Sequence, residues 1–302
     1  MSSGVGWAIA VALLLVSIPA QLSATPIFYI NTQANGTNGN SGSNCPSAGS
    51  PFPCGSALGV VDAATGAVTG LVNLTFQTSG GGAIANEELF DIAITTAGEI
   101  YGVSNTGLYR VSLSGIATLI GNTGVSGLNG LAFLGATLYA TAGGNTDLYT
   151  VNTASGAATS IGSNGTFQSG GDIAFVGSRL FLATNSNQIV ELNSANGALL
   201  NTGPIGLGPS NVQALKGLAS DGVNLYLVSD FFGGGGDKRV IQVNTTVGGS
   251  FGELVSSQQL SGLGSFGPPA GMTEFVGVPE PATYLLSALG LGLAGLARRK
   301  KK

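Results

Sequence analysis

Few residues of this 302-residue chain could perform acid–base or nucleophilic chemistry. The sequence has no histidine, two cysteines, 14 acidic residues and 10 basic residues. Catalytic triads that need an imidazole base and zinc sites that need histidine ligands are therefore excluded, and two cysteines are too few for a four-thiolate zinc site. We expect no catalytic residues and no cofactor. Catalysis or ligand binding by this chain would depend on carboxylates and on aromatic contacts.

Two aspartates occupy equivalent positions in a recurring phrase. Asp91 begins Asp-Ile-Ala-Ile, and Asp172 begins Asp-Ile-Ala-Phe. If these phrases are the inner strands of a ring, the two carboxylates lie at its central channel, where carboxylates can bind Ca²⁺. The alternative is that they accept hydrogen bonds from turn N–H groups. Gly130 and Gly217 fill the equivalent positions of two further phrases, so a complete acidic ring is not expected.

One loop combines adjacent aromatic residues with a run of glycines. Asp230, Phe231 and Phe232 are followed by four glycines and then by Asp237. Such a loop could stack on a sugar or contact a partner, and we treat it as a candidate ligand loop. The alternative is a pair of phenylalanines packed in the core.

The elements that position these residues repeat along the chain. In the first repeated pattern, an apolar strand that starts with Asp or Gly is followed by a second strand. In the second pattern, two strands of alternating apolar and polar residues are joined by a glycine turn, and copies start at positions 108, 148, 189 and 240. Four short strands every 40 to 50 residues are typical of a β-propeller. We predict an all-β fold with five blades of four antiparallel strands. Six irregular blades, a β-sandwich or a β-solenoid remain alternatives.

The ends of the repeat region predict how the ring closes. Residues 60–62 begin a pair of strands of the kind that ends a blade, but no inner strand of that blade precedes them. The phrase from Gly271 is an inner strand that no further strands of its blade follow. Residues 26–31 can supply the second strand. Both ends of the region would therefore complete one shared blade.

An N-terminal signal peptide is predicted over residues 1–24. An apolar run from Trp7 to Ile18 is followed by Pro19 and by small residues, although no lysine or arginine precedes the run. A buried helix is the alternative. The repeat domain then covers residues 25–277, with a Gly/Asn/Ser-rich insert over residues 32–57. Export implies an oxidising compartment, so we predict a disulfide between Cys45 and Cys54 of this insert.

The C-terminal segment, residues 278–302, has three parts in order. Pro279, Glu280 and Pro281 precede an apolar stretch over residues 282–297. Sixteen helical residues span roughly 24 Å, which flanking cations can extend to cross a membrane. The predicted transmembrane helix is followed by a basic stop-transfer cluster, which the positive-inside rule keeps cytoplasmic. Its residues are Arg298, Arg299, Lys300, Lys301 and Lys302.

This arrangement resembles the PEP-CTERM sorting signal of Gram-negative bacteria. The resemblance implies that exosortase and the export machinery are partners, with Pro279, Glu280 and Pro281 as the recognition residues. It also implies transient anchoring in the membrane, tail removal, and delivery to the cell surface or extracellular matrix. The repeats more weakly resemble extracellular propeller repeats found ahead of such tails. A plain tail anchor is the alternative.

Composition and charge limit the function further. Only 8% of residues are charged, the net charge is −4, and half of the basic residues lie in the C-terminal cluster. Such a body cannot neutralise a phosphate backbone, so nucleic-acid binding is not expected. We predict a non-enzymatic surface or matrix protein, such as a component of a biofilm matrix. The alternatives are a carbohydrate-binding module for exopolysaccharide and, less favoured, a propeller hydrolase or lyase.

Overall fold

The protein is described by a computed structural model that covers residues 25–33, 56–85, 87–203, 213–231, 237–248, 250–263 and 267–274. All regular elements of this part of the chain are β-strands. The first strands in chain order are β1 (Ile27–Thr32), β2 (Ala57–Asp62), β3 (Val68–Asn73), β4 (Thr75–Gln77), β5 (Asp91–Ile94), β6 (Ile100–Val103), β7 (Gly107–Val111), β8 (Ile116–Asn122), β9 (Leu128–Leu134) and β10 (Thr137–Ala142). The others are β11 (Asp147–Val151), β12 (Ala158–Ser163), β13 (Ser169–Val176), β14 (Arg179–Thr184), β15 (Ile189–Leu192), β16 (Leu199–Thr202), β17 (Gln213–Ser220), β18 (Leu225–Phe231), β19 (Arg239–Val243), β20 (Leu254–Gln259) and β21 (Pro269–Glu274).

The strands form five sheets, which we number as blades 1 to 5. From the inner to the outer strand, blade 1 is β21-β1-β2-β3, blade 2 is β5-β6-β7-β8, blade 3 is β9 to β12, blade 4 is β13 to β16 and blade 5 is β17 to β20. The inner strands contact one another in a closed cycle, β5-β9-β13-β17-β21-β5. The predicted five-bladed propeller of four-stranded antiparallel blades is confirmed, and the sandwich, solenoid and six-bladed alternatives are excluded.

Blade 1 is assembled from both ends of the repeat region, as predicted. Strand β21 pairs antiparallel with β1, with Ile30 opposite Met272 and Asn31 opposite Gly271. Strand β1 in turn pairs with β2, where Tyr29 lies opposite Val60. The last inner strand is thus hydrogen-bonded to the first described strand, so the seam of the ring lies inside a sheet and not between two blades.

Apolar clusters fill the spaces between neighbouring blades. Each of the five clusters draws on two adjacent blades, because alternate residues of each strand point to opposite faces of its sheet. In the part of the chain that the structure describes, aromatic pairs cross four of these interfaces: Phe28 with Tyr226, Tyr101 with Phe133, Tyr139 with Phe175, and Phe181 with Phe251. Burial of these faces is the main stabilisation of the ring.

Blade 2 has a fifth strand that the sequence did not reveal. The three-residue strand β4 runs parallel to β8, with Phe76 opposite Ala117, and covers the outer edge of the blade. The N–H of Thr75 donates to the carbonyl of Gly115, and the Phe76 ring packs edge-on against Tyr109 at 5.3 Å. Three residues are too few to show the strand alternation that the repeat analysis used.

Candidate functional site

The inner strands present five equivalent residues to the ring axis. These residues are Asp91, Gly130, Asp172, Gly217 and Gly271. A side chain at any of the three glycines would overlap a neighbouring strand: an added Cβ would lie 3.2 Å from Asp172 Cα at Gly130, 2.5 Å from the carbonyl carbon of Gly271 at Gly217, and 2.7 Å from Asp91 Cα at Gly271. The glycines leave space on the axis for the two aspartate side chains.

Asp91 links blade 2 to blade 3. Its side chain is fully buried, and Oδ1 accepts a hydrogen bond from the N–H of Ile92 at 2.8 Å. Oδ2 accepts a hydrogen bond from the N–H of Leu131, the residue after Gly130, at 2.5 Å. The carboxyl group therefore takes part in the packing of two inner strands.

Asp172 makes the same type of link to the remaining blades. It is also fully buried, and Oδ1 accepts from the N–H of Ile173 at 2.6 Å. Oδ2 accepts from the N–H of Leu218 at 2.5 Å and, more weakly, from that of Met272 at 3.4 Å. These acceptors join blade 4 to blades 5 and 1 beside the axis.

The two carboxyl groups are hydrogen-bonded to each other and share a proton. Burial first, then the charge of Asp172 and a hydrogen bond to it, raise the pKa of Asp91 well above its usual range. Burial also raises the pKa of Asp172, while the hydrogen bond with Asp91 and the backbone N–H groups oppose that rise. The two carboxyl groups titrate together, and the pair retains a proton above the usual range of an aspartate.

The structure therefore brings the two predicted metal candidates, Asp91 and Asp172, into direct contact. All four of their carboxyl oxygens accept backbone N–H groups, which a metal ion would have to displace. Within the described ranges, no group of three or more acidic or cysteine side chains could hold a metal ion. Metal binding by this pair stays a prediction without geometric support.

One residue before these axis positions, the inner strands open into a small cavity at the channel mouth. The cavity has a volume of about 210 Å³. We call it the mouth cavity, and its lining residues are Gln33, Phe90, Gly127, Asn129, Gly170, Gly171, Lys216 and Ala270. These residues come from all five blades or their adjoining loops, so the cavity exists only in the closed ring.

Irregular strand pairing places several of these residues. Pairing registers shift at Asn129, at Lys216 and at Ala270, where an inner strand has one extra residue relative to its partner, and at Gly170 and Gly171, where it has two. Such β-bulges redirect side chains and release backbone groups from the ladder. Asn129 and Lys216 were not predicted as site residues from the sequence, although each directly precedes the glycine that begins its repeat phrase.

The predicted ligand loop is only partly described. Asp230 and Phe231 belong to the backbone of β18, whose Phe231 pairs with Gln213 at the mouth end of blade 5. Their side chains, together with Phe232, lie outside the described residues. Asp237 accepts a hydrogen bond from Gln259 at 3.4 Å and lies 3.8 Å from the Arg239 guanidinium. The ligand role of this loop stays a prediction.

A larger open groove of about 880 Å³ lies along blade 2. Its lining includes Glu99 and Arg110, which form an ion pair, and the exposed Leu113 and Ile116. The Arg110 guanidinium also stacks over the Tyr101 ring at 5.1 Å. The cation of this groove is therefore already paired with a carboxylate and an aromatic ring.

Several predicted features lie outside the described residues. They are the signal peptide, the Cys45–Cys54 disulfide, the Pro279-Glu280-Pro281 motif, the transmembrane helix over 282–297 and the basic cluster over 298–302. The described residues include no helix long and apolar enough to span a membrane. The domain boundaries drawn from these features likewise stay predictions.

The strand pairing defines the protein as a closed five-bladed β-propeller. Residues 277–302 match the PEP-CTERM protein-sorting motif, so the chain carries this sorting signal after the propeller. Such a signal implies export and exosortase processing at the membrane. The resemblance of the C-terminal sequence to the PEP-CTERM sorting signal is thereby confirmed.

Comparison with known proteins adds only distant similarities. No curated protein matches the chain. Among solved structures, a nidogen/laminin complex matches with 15% identity over 72% of this chain and 76% of that chain, with a TM-score of 0.44. A protein of unknown function from Bacteroides caccae matches with 11% identity over 82% and 98%, with a TM-score of 0.42. Glutaminyl cyclase from Myxococcus xanthus matches with 14% identity over 74% and 83%, with a TM-score of 0.43.

Proposed function

We propose that this protein is an exported surface or extracellular-matrix protein whose propeller acts as a non-enzymatic interaction or structural module. Exosortase removes the C-terminal tail and the propeller remains outside the cell. The observation that carries the proposal is the order of the two parts: β21, the strand that closes the ring, ends at Glu274, before the motif at 277–302 begins. The tail can be removed without taking a strand from the propeller.

The state of the central aspartates supports a non-enzymatic role. A general acid must reach its substrate, and a glycosidase needs two carboxyl groups facing the bond that breaks. Asp91 and Asp172 are fully buried and bonded to backbone N–H groups, so they serve the packing of the inner strands. A hydrolase or lyase would need other carboxylates.

The proposal is tested by replacing Pro279, Glu280 and Pro281 together with alanine in the producing bacterium. We expect the parent protein in the surface or matrix fraction and the triple variant in the membrane fraction. Glu253→Ala, which removes an exposed glutamate from blade 5, is the matched control and should fractionate like the parent. Equal release of the triple variant would overturn the sorting role.

A carbohydrate-binding module is the second candidate function. The mouth cavity favours it, because an amide, a cation and an aromatic residue meet there in a space of about 210 Å³. Small-molecule sites combine apolar walls with a few placed polar groups in this way.

A further inference from the structure

We propose that the mouth cavity binds a sugar acid, a hexuronate, either free or as the end residue of a polyuronate chain. This deepens the interaction role proposed above and rests on it. The mouth cavity has space for about seven water molecules at ~30 Å³ each. That volume suits one sugar ring and not an oligosaccharide, so only a chain end or a free monosaccharide can enter.

Lys216 determines the charge of the ligand. Among the described residues that line the mouth cavity, it is the only charged one. It forms no hydrogen bond or ion pair with the residues that the structure describes. A lysine without a protein partner in the lining of a small cavity favours an anionic ligand, and a single cation matches the single charge of a carboxylate.

The negative charge of the aspartate pair does not oppose an anion at this position. The pair lies one residue below the mouth cavity, and five backbone N–H groups donate to its oxygens. Those donors, together with the shared proton, balance the charge of the pair within the inner strands. Lys216 therefore remains available to a ligand.

The neutral lining residues match a sugar ring. Asn129 contributes an amide to the lining, and its buried Oδ1 accepts no hydrogen bond from the described residues. Gln33 adds a second amide, and Phe90 adds an aromatic surface for the C–H groups of the ring. Gly170 and Gly171, at the bulge of blade 4, also line this space, and an added Cβ at either glycine would lie against the backbone of Thr184 or Lys216.

The test is isothermal titration of the full-length protein with glucuronate, with an oligoglucuronate and with neutral glucose. We expect the uronates to bind with a Kd of about 1 mM or tighter and glucose to bind at least tenfold more weakly. If glucuronate alone binds, the ligand is the free sugar acid, and if only the oligomer binds, it is a chain end. No binding of either uronate, or equal binding of glucose, would overturn the proposal.

Two substitutions locate the site, and one serves as control. Lys216→Gln should weaken uronate binding about tenfold or more because it removes a charge-assisted hydrogen bond, and Asn129→Asp should weaken it by repulsion. Arg110→Gln removes a cation from the blade 2 groove and should leave binding unchanged. Matching thermal midpoints show that each variant is folded. Unchanged binding in both mouth variants would overturn the assignment, whereas the sorting proposal is tested separately by the Pro279–Pro281 variant.

Discussion

At the scale of single residues, the axis of the ring is built from two carboxyl groups and three glycines. The repeat phrases revealed these positions, because Asp91, Asp172 and the glycines all begin the same short apolar pattern. What the sequence could not reveal is that the glycines accommodate the carboxyl groups of other blades. That relation depends on which inner strands become neighbours in space, and no local pattern encodes it.

The shared proton predicts the direction of the pH dependence of stability. Because the pKa of Asp91 is raised in the folded state, the native protein holds more protons than the unfolded chain above about pH 4, the ordinary range of an aspartate. The contribution of the pair to the free energy of unfolding is therefore full below that pH and is lost as pH rises through the folded pKa. Urea denaturation from pH 5 to 8 should show this decline, with a slope of up to about 1.4 kcal/mol per pH unit per proton.

Asp91→Asn tests this effect, because the amide cannot lose a proton. Its N–H₂ group replaces an oxygen that accepts a backbone N–H, so the slopes are compared and not the overall stabilities. We expect a smaller slope in this variant than in the parent over the same pH range. Asp237→Asn is the matched control for removing one carboxyl group from a more exposed position. A slope in Asp91→Asn equal to that of the parent would show that the pair does not hold the proton.

Gly271→Ala tests the close packing at the axis. The added Cβ would lie 2.7 Å from Asp91 Cα and would overlap the carboxyl oxygen, so we expect a loss of about 3 kcal/mol in the free energy of unfolding. Gly144→Ala is the control, since nothing lies within 4 Å of its added Cβ, and its effect should stay within about 0.5 kcal/mol. Urea denaturation at fixed pH measures both, and similar losses would contradict the packing argument.

At the scale of elements, apolar runs and glycine turns in the sequence predicted where the strands lie. They did not predict the β-bulges at which strand pairing is irregular. Strands such as β10 and β11 are short runs rich in buried apolar residues and are joined by a short turn, which is a local signal. The bulges at Asn129 and Lys216 leave no such signal, because one extra residue in a strand is visible only once its partner is known. The mouth cavity depends on those bulges, so it could not be predicted from the sequence.

The outer strand β4 should stabilise blade 2 through one aromatic contact. Phe76 is buried against Tyr109, so Phe76→Ala is expected to cost about 3 to 4 kcal/mol of unfolding free energy. Thr75→Ala, an exposed neighbour in the same strand, should have a small effect and controls for strand propensity. Thermal or urea unfolding measures both variants. A loss below 1 kcal/mol for Phe76→Ala would mean that β4 contributes little to the blade.

At the scale of the whole molecule, closure through blade 1 separates the folded body from the sorting signal. The sequence predicted this closure from one unpaired strand at each end of the repeat region, and the register of β21 with β1 confirms it. A truncation after Glu274 keeps every described strand, whereas a truncation before Pro269 removes the inner strand of blade 1. We expect the first to unfold at the same midpoint as the full chain and the second to fail to fold, as measured by circular dichroism.

We expect that removal of the C-terminal tail delivers a complete propeller to the cell surface or matrix. The intact mass of the protein recovered from the surface or matrix of the producing cells tests this expectation. The recovered form should retain the chain through Glu274 and lack the basic residues 298–302. A form that retains the basic residues, or one that ends before Pro269, would contradict it.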